Sequence, residues 1–239
     1  MDKIQLIEKF FLYLLKFSYL LPVVLFLYYF FRKNVRDKKL IPLIVYSSFF
    51  FLLNIFFDTI VSKKLVTPAV YNFLFTLVEY LFFAVLLGLG YIKNKTFVKT
   101  VLICSILFVG FDFIHFLTTK PGLIDSIAVG VSTLLIFFYI FYYIFLELRN
   151  EDKEVSLVSQ YTFWVALGIL IYLAGTFFFN LLIDLLPKEQ IREYWYITYI
   201  FDIIKNIFFT IAIFVHIRQA NKKPQIKAQK TNEPFLNFL

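Results

Sequence analysis

Apolar residues in this chain come in long blocks separated by short charged punctuation, with no sustained alternation at a period of two. Runs without Asp, Glu, Lys or Arg cover eighteen residues from Leu40 to Phe57, twenty-one from Ser126 to Leu146 and twenty-nine from Val155 to Ile183. Each is long enough to cross a hydrocarbon layer about 30 Å thick. Lipid offers the backbone no hydrogen bonds, so a spanning segment is a helix or part of a closed barrel, and the missing alternation leaves the helix. The blocks predict an all-α, polytopic membrane protein: a single seven-transmembrane-helix bundle over residues 1–217 followed by a basic tail, 218–239. The helices are expected at about 10–31, 40–61, 68–92, 98–117, 123–146, 159–186 and 194–217. Pro42, Pro68 and Pro187 fall at helix starts or just past helix ends, where a missing N–H is tolerated, while Pro22 lies inside the first span and predicts a kink.

Composition agrees with the blocks. Hydrophobic residues make up 61% of the chain and aromatics 22%, more than a soluble domain of this length can hide beneath a polar surface. The net charge of +8 belongs to loops and tail, so it reads as membrane topology and no nucleic-acid partner is expected. Fifteen Lys and Arg, including Arg32, Lys39, Lys93, Arg149 and Arg218, fall on one side of the seven spans and seven, including Lys9, Lys63 and Lys188, on the other. The richer side should be cytoplasmic, which puts the N-terminus outside and the C-terminus inside a bacterial inner membrane. Lys16 breaks the first apolar run and no small-residue cleavage site follows, so that run is kept as a span. Cys104 is the single cysteine, which excludes a disulfide framework and a cysteine-based metal site. Asn94-Lys95-Thr96 has the form of a glycosylation sequon but lies in an expected cytoplasmic loop and is taken as chance.

The more specific signal is a polar stripe on nearly every helix, with positions three, four, seven or eight apart. The second helix carries Ser47, Asn54 and Asp58, the third Asn72, Thr76 and Glu79, the fourth Ser105, Asp112 and His115, the fifth Asp125 and Ser132. Tyr172, Thr176, Asn180 and Asp184 recur every four residues on the sixth, and Thr198, Asp202, Lys205 and Asn206 share a face of the seventh. Lys205 is the pivotal residue. An ammonium at membrane depth costs about 2.5–3.5 kcal/mol on insertion scales and needs a carboxylate, a carbonyl or a hydrated cavity as partner. Counted from the outer helix ends, Glu79 and Lys205 lie at similar depths of roughly 15–17 Å, so an ion pair between the third and seventh helices is expected, with Asp202 as second candidate partner. Small residues, Ala84 with Gly88, Ser126 with Gly130 and Gly168 with Gly175, would let helices approach closely.

These stripes nominate Asn72, Glu79, Asp112, His115, Tyr172, Thr176, Asn180, Asp202, Lys205 and Asn206 as a polar core or ligand site in the outer half of the bundle. Many buried Asn, Thr, Ser and Tyr side chains merely link helices, at about 0.6 kcal/mol each, whereas central ionisable groups mark a functional site by default. His115, three residues after Asp112, could relay protons or bind a metal, but the second histidine, His216, lies at the opposite end of the bundle. No metal or other cofactor is expected.

The segment Thr162-Phe163-Trp164-Val165-Ala166-Leu167-Gly168-Ile169-Leu170-Ile171-Tyr172 with Ala174-Gly175-Thr176, the pair Asn72 and Glu79, and Ile204-Lys205-Asn206-Ile207 resemble a bacterial seven-helix family. That family is similar to the membrane sensor regions that precede some histidine kinases. The resemblance implies a receptor-like or sensory module that binds an unknown small ligand and signals through a separate cytoplasmic partner, since a kinase domain is not part of this sequence. An intramembrane lipid-acting enzyme or a proton-coupled transporter would use Glu79, Asp202 and Lys205 as proton carriers, although no nucleophile motif or phosphate loop accompanies them. A third alternative is a retinal protein. A lysine midway along the last helix and a carboxylate on the third are similar to microbial rhodopsins, but Asp202 precedes Lys205 by three residues where that family has four, and the third helix lacks the arginine beside the counterion.

Overall fold

The computed structural model describes residues 3–33, 40–63, 66–90, 94–119, 125–149, 156–182 and 187–231, and every regular element within them is helical. The seven α-helices are α1 (Lys3–Lys33), α2 (Ile41–Ser62), α3 (Pro68–Gly90), α4 (Lys95–Thr119), α5 (Ser126–Leu148), α6 (Tyr161–Leu182) and α7 (Lys188–Thr231), with a 3-10 turn at Leu157–Ser159 ahead of α6. Six are long and apolar enough to cross a membrane: Leu6–Phe31, Pro68–Gly88, Lys95–Thr119, Ser126–Leu148, Tyr161–Asn180 and Trp195–Gln219. In α2 the side chains are described as far as Phe56, and that stretch, Ile41–Phe56, is apolar as well. Large apolar side chains face outward all round, among them Phe17, Ile106, Leu107, Leu148 and Phe178, each more than 60% exposed. Such a surface suits lipid and not water, and the chain is a multi-pass, all-helical membrane protein.

Helix ends shift from the sequence expectation where side chains cap them. Asn94 accepts a hydrogen bond from the Phe97 backbone N–H through Oδ1 at 3.0 Å, so α4 begins at Lys95 and the sequon-like Asn94-Lys95-Thr96 is a helix start. Asp125 does the same for α5, accepting from Ala128 N–H at 3.1 Å, which starts that helix at Ser126 instead of 123. Removing this cap, Asp125→Ala, should cost about 1 kcal/mol and be read as an earlier unfolding midpoint in denaturant, with the His115 contact described below lost as well. Thr67 opens α3 ahead of Pro68, accepting from the Val70 N–H. The largest differences are at the chain's ends: α1 starts at Lys3 and not near 10, and α7 continues through the basic segment to Thr231 in place of a boundary at 217. Gln, Lys and Ala are good helix formers, and the extension continues through Pro224, which lies inside α7. Pro22 sits within α1. Asp184, the loop cations Arg36, Lys38, Lys39, Lys64, Lys93, Lys120 and Lys153, and the last residues 232–239 lie outside the described residues, as does the side chain of Asp58.

Ring contacts between successive helices fix their directions. Phe50 against Phe75, Phe73 against Phe116, Phe97 against Tyr142, and Trp164 against Phe208 with Phe179 against Trp195 are all antiparallel pairings. The ring of helices closes with α1 packed parallel to α7, where Phe11 stacks on Tyr196 and Tyr19 reaches Asp202. α3 is the central helix, touching α2, α4, α5 and α6. Of the small residues expected at close approaches, Gly168 and Gly175 are so used. A methyl added at Gly168 would lie 2.8 Å from Phe208 Cβ and 3.2 Å from the Lys205 carbonyl oxygen, and one at Gly175 would overlap the Phe201 ring. Gly88 is different: its nearest neighbour would be Val101 Cγ1 at 3.9 Å, an ordinary contact, so the α3 glycine does not set a helix spacing.

Candidate functional site

Lys205 is completely buried, and four helices besides its own surround it. Its Nζ lies 2.6 Å from Asp202 Oδ1, one turn earlier on α7, and donates to Tyr46 Oη of α2 at 2.5 Å. Glu79 Oε1 of α3 is further off, at 3.8 Å. The sequence pointed to Glu79 as first partner and Asp202 as second, and the distances reverse that order. Three residues along one helix bring two side chains onto the same face without help from folding, whereas Glu79 must be delivered by packing between α3 and α7. The ammonium is also enclosed by rings, with centroids at 4.0 Å for Tyr172, 5.4 Å for Phe83 and 5.7 Å for Tyr19. Desolvated cation–π contacts of this kind each contribute on the order of 1–2 kcal/mol toward holding the charge.

Both carboxyls are held by phenols. Tyr19 of α1 donates to Asp202 Oδ2 at 2.6 Å, and Tyr172 of α6 donates to Glu79 Oε2 at 3.3 Å. The cluster thus draws on α1, α2, α3, α6 and α7. Asn206 belongs beside it and not in it. Its Nδ2 donates to Ser18 Oγ at 2.8 Å, tying α7 to α1, and Ser18 in turn donates to the Leu15 carbonyl.

Above the cluster lies a cavity of about 370 Å³, within the range of small-molecule sites. Of the residues nominated from the stripes, Asn72, Glu79, Tyr172, Thr176, Asn180 and Asp202 line it. Its far wall is formed by Glu8, Tyr71 and Trp195, near the starts of α1, α3 and α7, so it lies toward the end of the bundle that carries the N-terminus. From Trp195 down to Asp202 the helix descends about 10 Å. Lys205 is not part of the wall; the cavity meets the carboxyls, and the amine sits behind them.

Asp112 and His115 are not brought to this cavity. His115 Nδ1 lies 2.8 Å from Asp125 Oδ2, with Thr119 Oγ1 at 3.2 Å, so the histidine clamps the end of α4 to the start of α5. Asp112 is buried on α4 at 1% exposure, one turn below. His115 thus turns to α5, and no described residue of α4 contributes to the cavity wall. Among the described residues no group of His, Cys, Asp and Glu is gathered for a metal ion. Several stripe hydroxyls turn back on their own helices: Thr176 Oγ1 donates to the Tyr172 carbonyl at 2.9 Å and Thr198 Oγ1 to the Trp195 carbonyl at 2.7 Å. Asn54 on α2 does likewise through Nδ2, donating to the Phe50 carbonyl at 2.9 Å.

Tyr19 and Tyr46 are the functional side chains the stripes did not reveal. Both are buried, 1% and 0% exposed, Tyr19 at mid-helix and Tyr46 in the second turn of α2, whereas interfacial tyrosines sit near helix ends. For Tyr19 that position was the available signal, because a phenol at depth needs a partner for its hydroxyl. A second phenol network was missed for the same reason: Tyr80 Oη lies 2.9 Å from Tyr139 Oη and 3.1 Å from Ser105 Oγ, joining α3, α5 and α4. No family model matches the chain, and neither a curated protein nor a solved structure matches it.

Proposed function

We propose that the chain is a seven-span, receptor-like membrane module that takes a small ligand into the cavity above Asp202 and Glu79 and passes the event to a separate cytoplasmic partner. The observation that carries this reading is the cavity itself: about 370 Å³, lined by hydrogen-bonding groups from several helices and floored by a charge cluster. A ligand that moves Tyr19, Tyr172 or either carboxyl changes contacts shared among α1, α3, α6 and α7, which is the kind of shared element a signal can bias. In this reading all seven helices span, the cavity faces the exterior, and the Lys- and Arg-rich loops face the cytoplasm. The same residues would serve a proton-coupled transporter, for which the two carboxyls beside one amine speak directly. A retinal on Lys205 has less support, because the amine is packed behind Asp202 with the Tyr172 ring at 4.0 Å.

Orientation and ligand binding have separate tests. In a Cys104→Ser background, Lys63→Cys should react with a membrane-impermeant maleimide in intact cells and Ser156→Cys only after the membrane is opened; the reverse pattern would invert the proposed topology. Native mass spectrometry of the protein released from its own membranes should show a bound small molecule that Asn72→Trp, which fills the cavity, removes. Equal adducts on both chains would place any bound molecule elsewhere.

A further inference from the structure

The cavity holds more carboxyl than ammonium. Glu79 and Asp202 both line it, and the amine facing them, Lys205, is sealed behind the wall. Among the described residues the other charged groups of the wall are Glu8 and Lys16 on α1, one of each sign. The floor itself sets two carboxyls, Glu79 and Asp202, against the one ammonium of Lys205, one negative charge in excess among the described residues if all are ionised. Among the described residues the other titratable groups turned toward the floor are phenols, Tyr19 from α1, Tyr46 from α2, Tyr80 from α3 and Tyr172 from α6, and α5 offers the hydroxyls of Ser132 and Thr133. Neutral hydroxyls can donate to a carboxylate but bring no positive charge. A surplus charge enclosed among helices in lipid must be compensated, by a proton or by a cation. The upper wall is suited to a cation with an apolar body: Tyr71, Phe75, Trp195 and Tyr199 present aromatic surface above the carboxyls.

We infer that the cavity takes a small organic cation, an ammonium on an apolar body, and that its entry releases one proton shared by Glu79 and Asp202. The O–H bond of the protonated carboxyl breaks, the proton leaves to bulk water, and the ligand's charge replaces it, so the site's net charge is unchanged. This rests on the ligand-binding reading above and specifies the ligand class. A free amine and the head of a membrane lipid share this chemistry, and the test separates them.

The probe is hexyltrimethylammonium, which carries a permanent charge and no acidic proton of its own, with hexanol and hexanoate as matched neutral and anionic controls. Calorimetric titration of the full chain, in micelles and in two buffers of different ionisation enthalpy, should give saturable binding with close to one proton released. Wild-type affinity should fall about tenfold per pH unit of acidification while that proton is being displaced. Glu79→Gln should weaken binding at least tenfold and abolish the release. Because proton release and its pH dependence are measured on the wild type, a Glu79→Gln chain that fails to fold leaves the test standing. Repeating the titration in nanodiscs of phosphatidylethanolamine and of a neutral galactolipid distinguishes the sources: a loss of affinity only in the former assigns the site to a lipid headgroup, equal affinity to a diffusible amine. Hexanol or hexanoate binding as tightly as the cation, or cation binding without proton release, would overturn the inference while leaving a ligand-binding module. If none of the three probes binds, the ligand-binding reading falls with it.

Discussion

Lys205→Met should be the most damaging single substitution in the bundle, with a loss of about 3–5 kcal/mol in reversible denaturation from micelles. The side chain is fully buried and methionine fills much of the same volume, so packing is not the main loss. What remains is a pair of carboxyls, Asp202 and Glu79, enclosed without the ammonium that lies 2.6 Å from one and 3.8 Å from the other. Removing one member of a buried ion pair costs more than removing both, because the survivor keeps its desolvation penalty without its partner. Lys205→Met combined with Asp202→Asn should therefore be more stable than Lys205→Met alone, and the double-mutant cycle should give a coupling energy well above the 0.5 kcal/mol or so seen between independent sites. A Lys205→Met chain as stable as wild type would mean that the amine contributes nothing to assembling α2, α3 and α7.

The second large effect should come from Gly168→Ala, with about 1–3 kcal/mol lost. Alanine ordinarily improves a helix over glycine by about 0.5–1 kcal/mol, so the sign itself is diagnostic. At Gly168 the added carbon would sit 2.8 Å from Phe208 Cβ and 3.2 Å from the Lys205 carbonyl oxygen. Neither is the free end of a flexible side chain, so α6 and α7 must separate, and the Tyr172 ring moves away from the ammonium with them. Gly110→Ala is the control. Nothing lies within 4 Å of a carbon added there, and that substitution should be neutral or slightly stabilising. Equal effects at the two positions would remove the close approach of α6 and α7 as a determinant of the fold.

Much of this architecture was open to reading from the chain. Long charge-free runs dictate helices because lipid leaves the backbone no other partner, and a lysine in the middle of one dictates an inward face with acidic company. The stripe positions Asn72, Glu79, Tyr172, Thr176, Asn180 and Asp202 do converge on one cavity, since helical spacing alone places them on a common side of their own helices. Helix ends were less legible: Asn94 and Asp125 act through a single hydrogen bond each, and such caps are weak signals among other polar loop residues. Asp112 and His115 had the right residue types and spacing but the wrong neighbour, because a stripe states which face is polar and not which helix it meets.

The sequence by itself determined the class of protein, the existence of the helices, the inward turn of Lys205 and the identity of the acids able to reach it. Only the tertiary structure decided that Asp202 is the nearer acid, that Tyr19 and Tyr46 complete the cluster, and that the amine is sealed while the carboxyls line the cavity. Periodicity constrains each helix about its own axis, whereas these features depend on the rotation and offset of one helix against another. Those are settled by close packing, at Gly168 and Gly175 above all, and packing is a property of pairs of surfaces that no single stretch of chain contains.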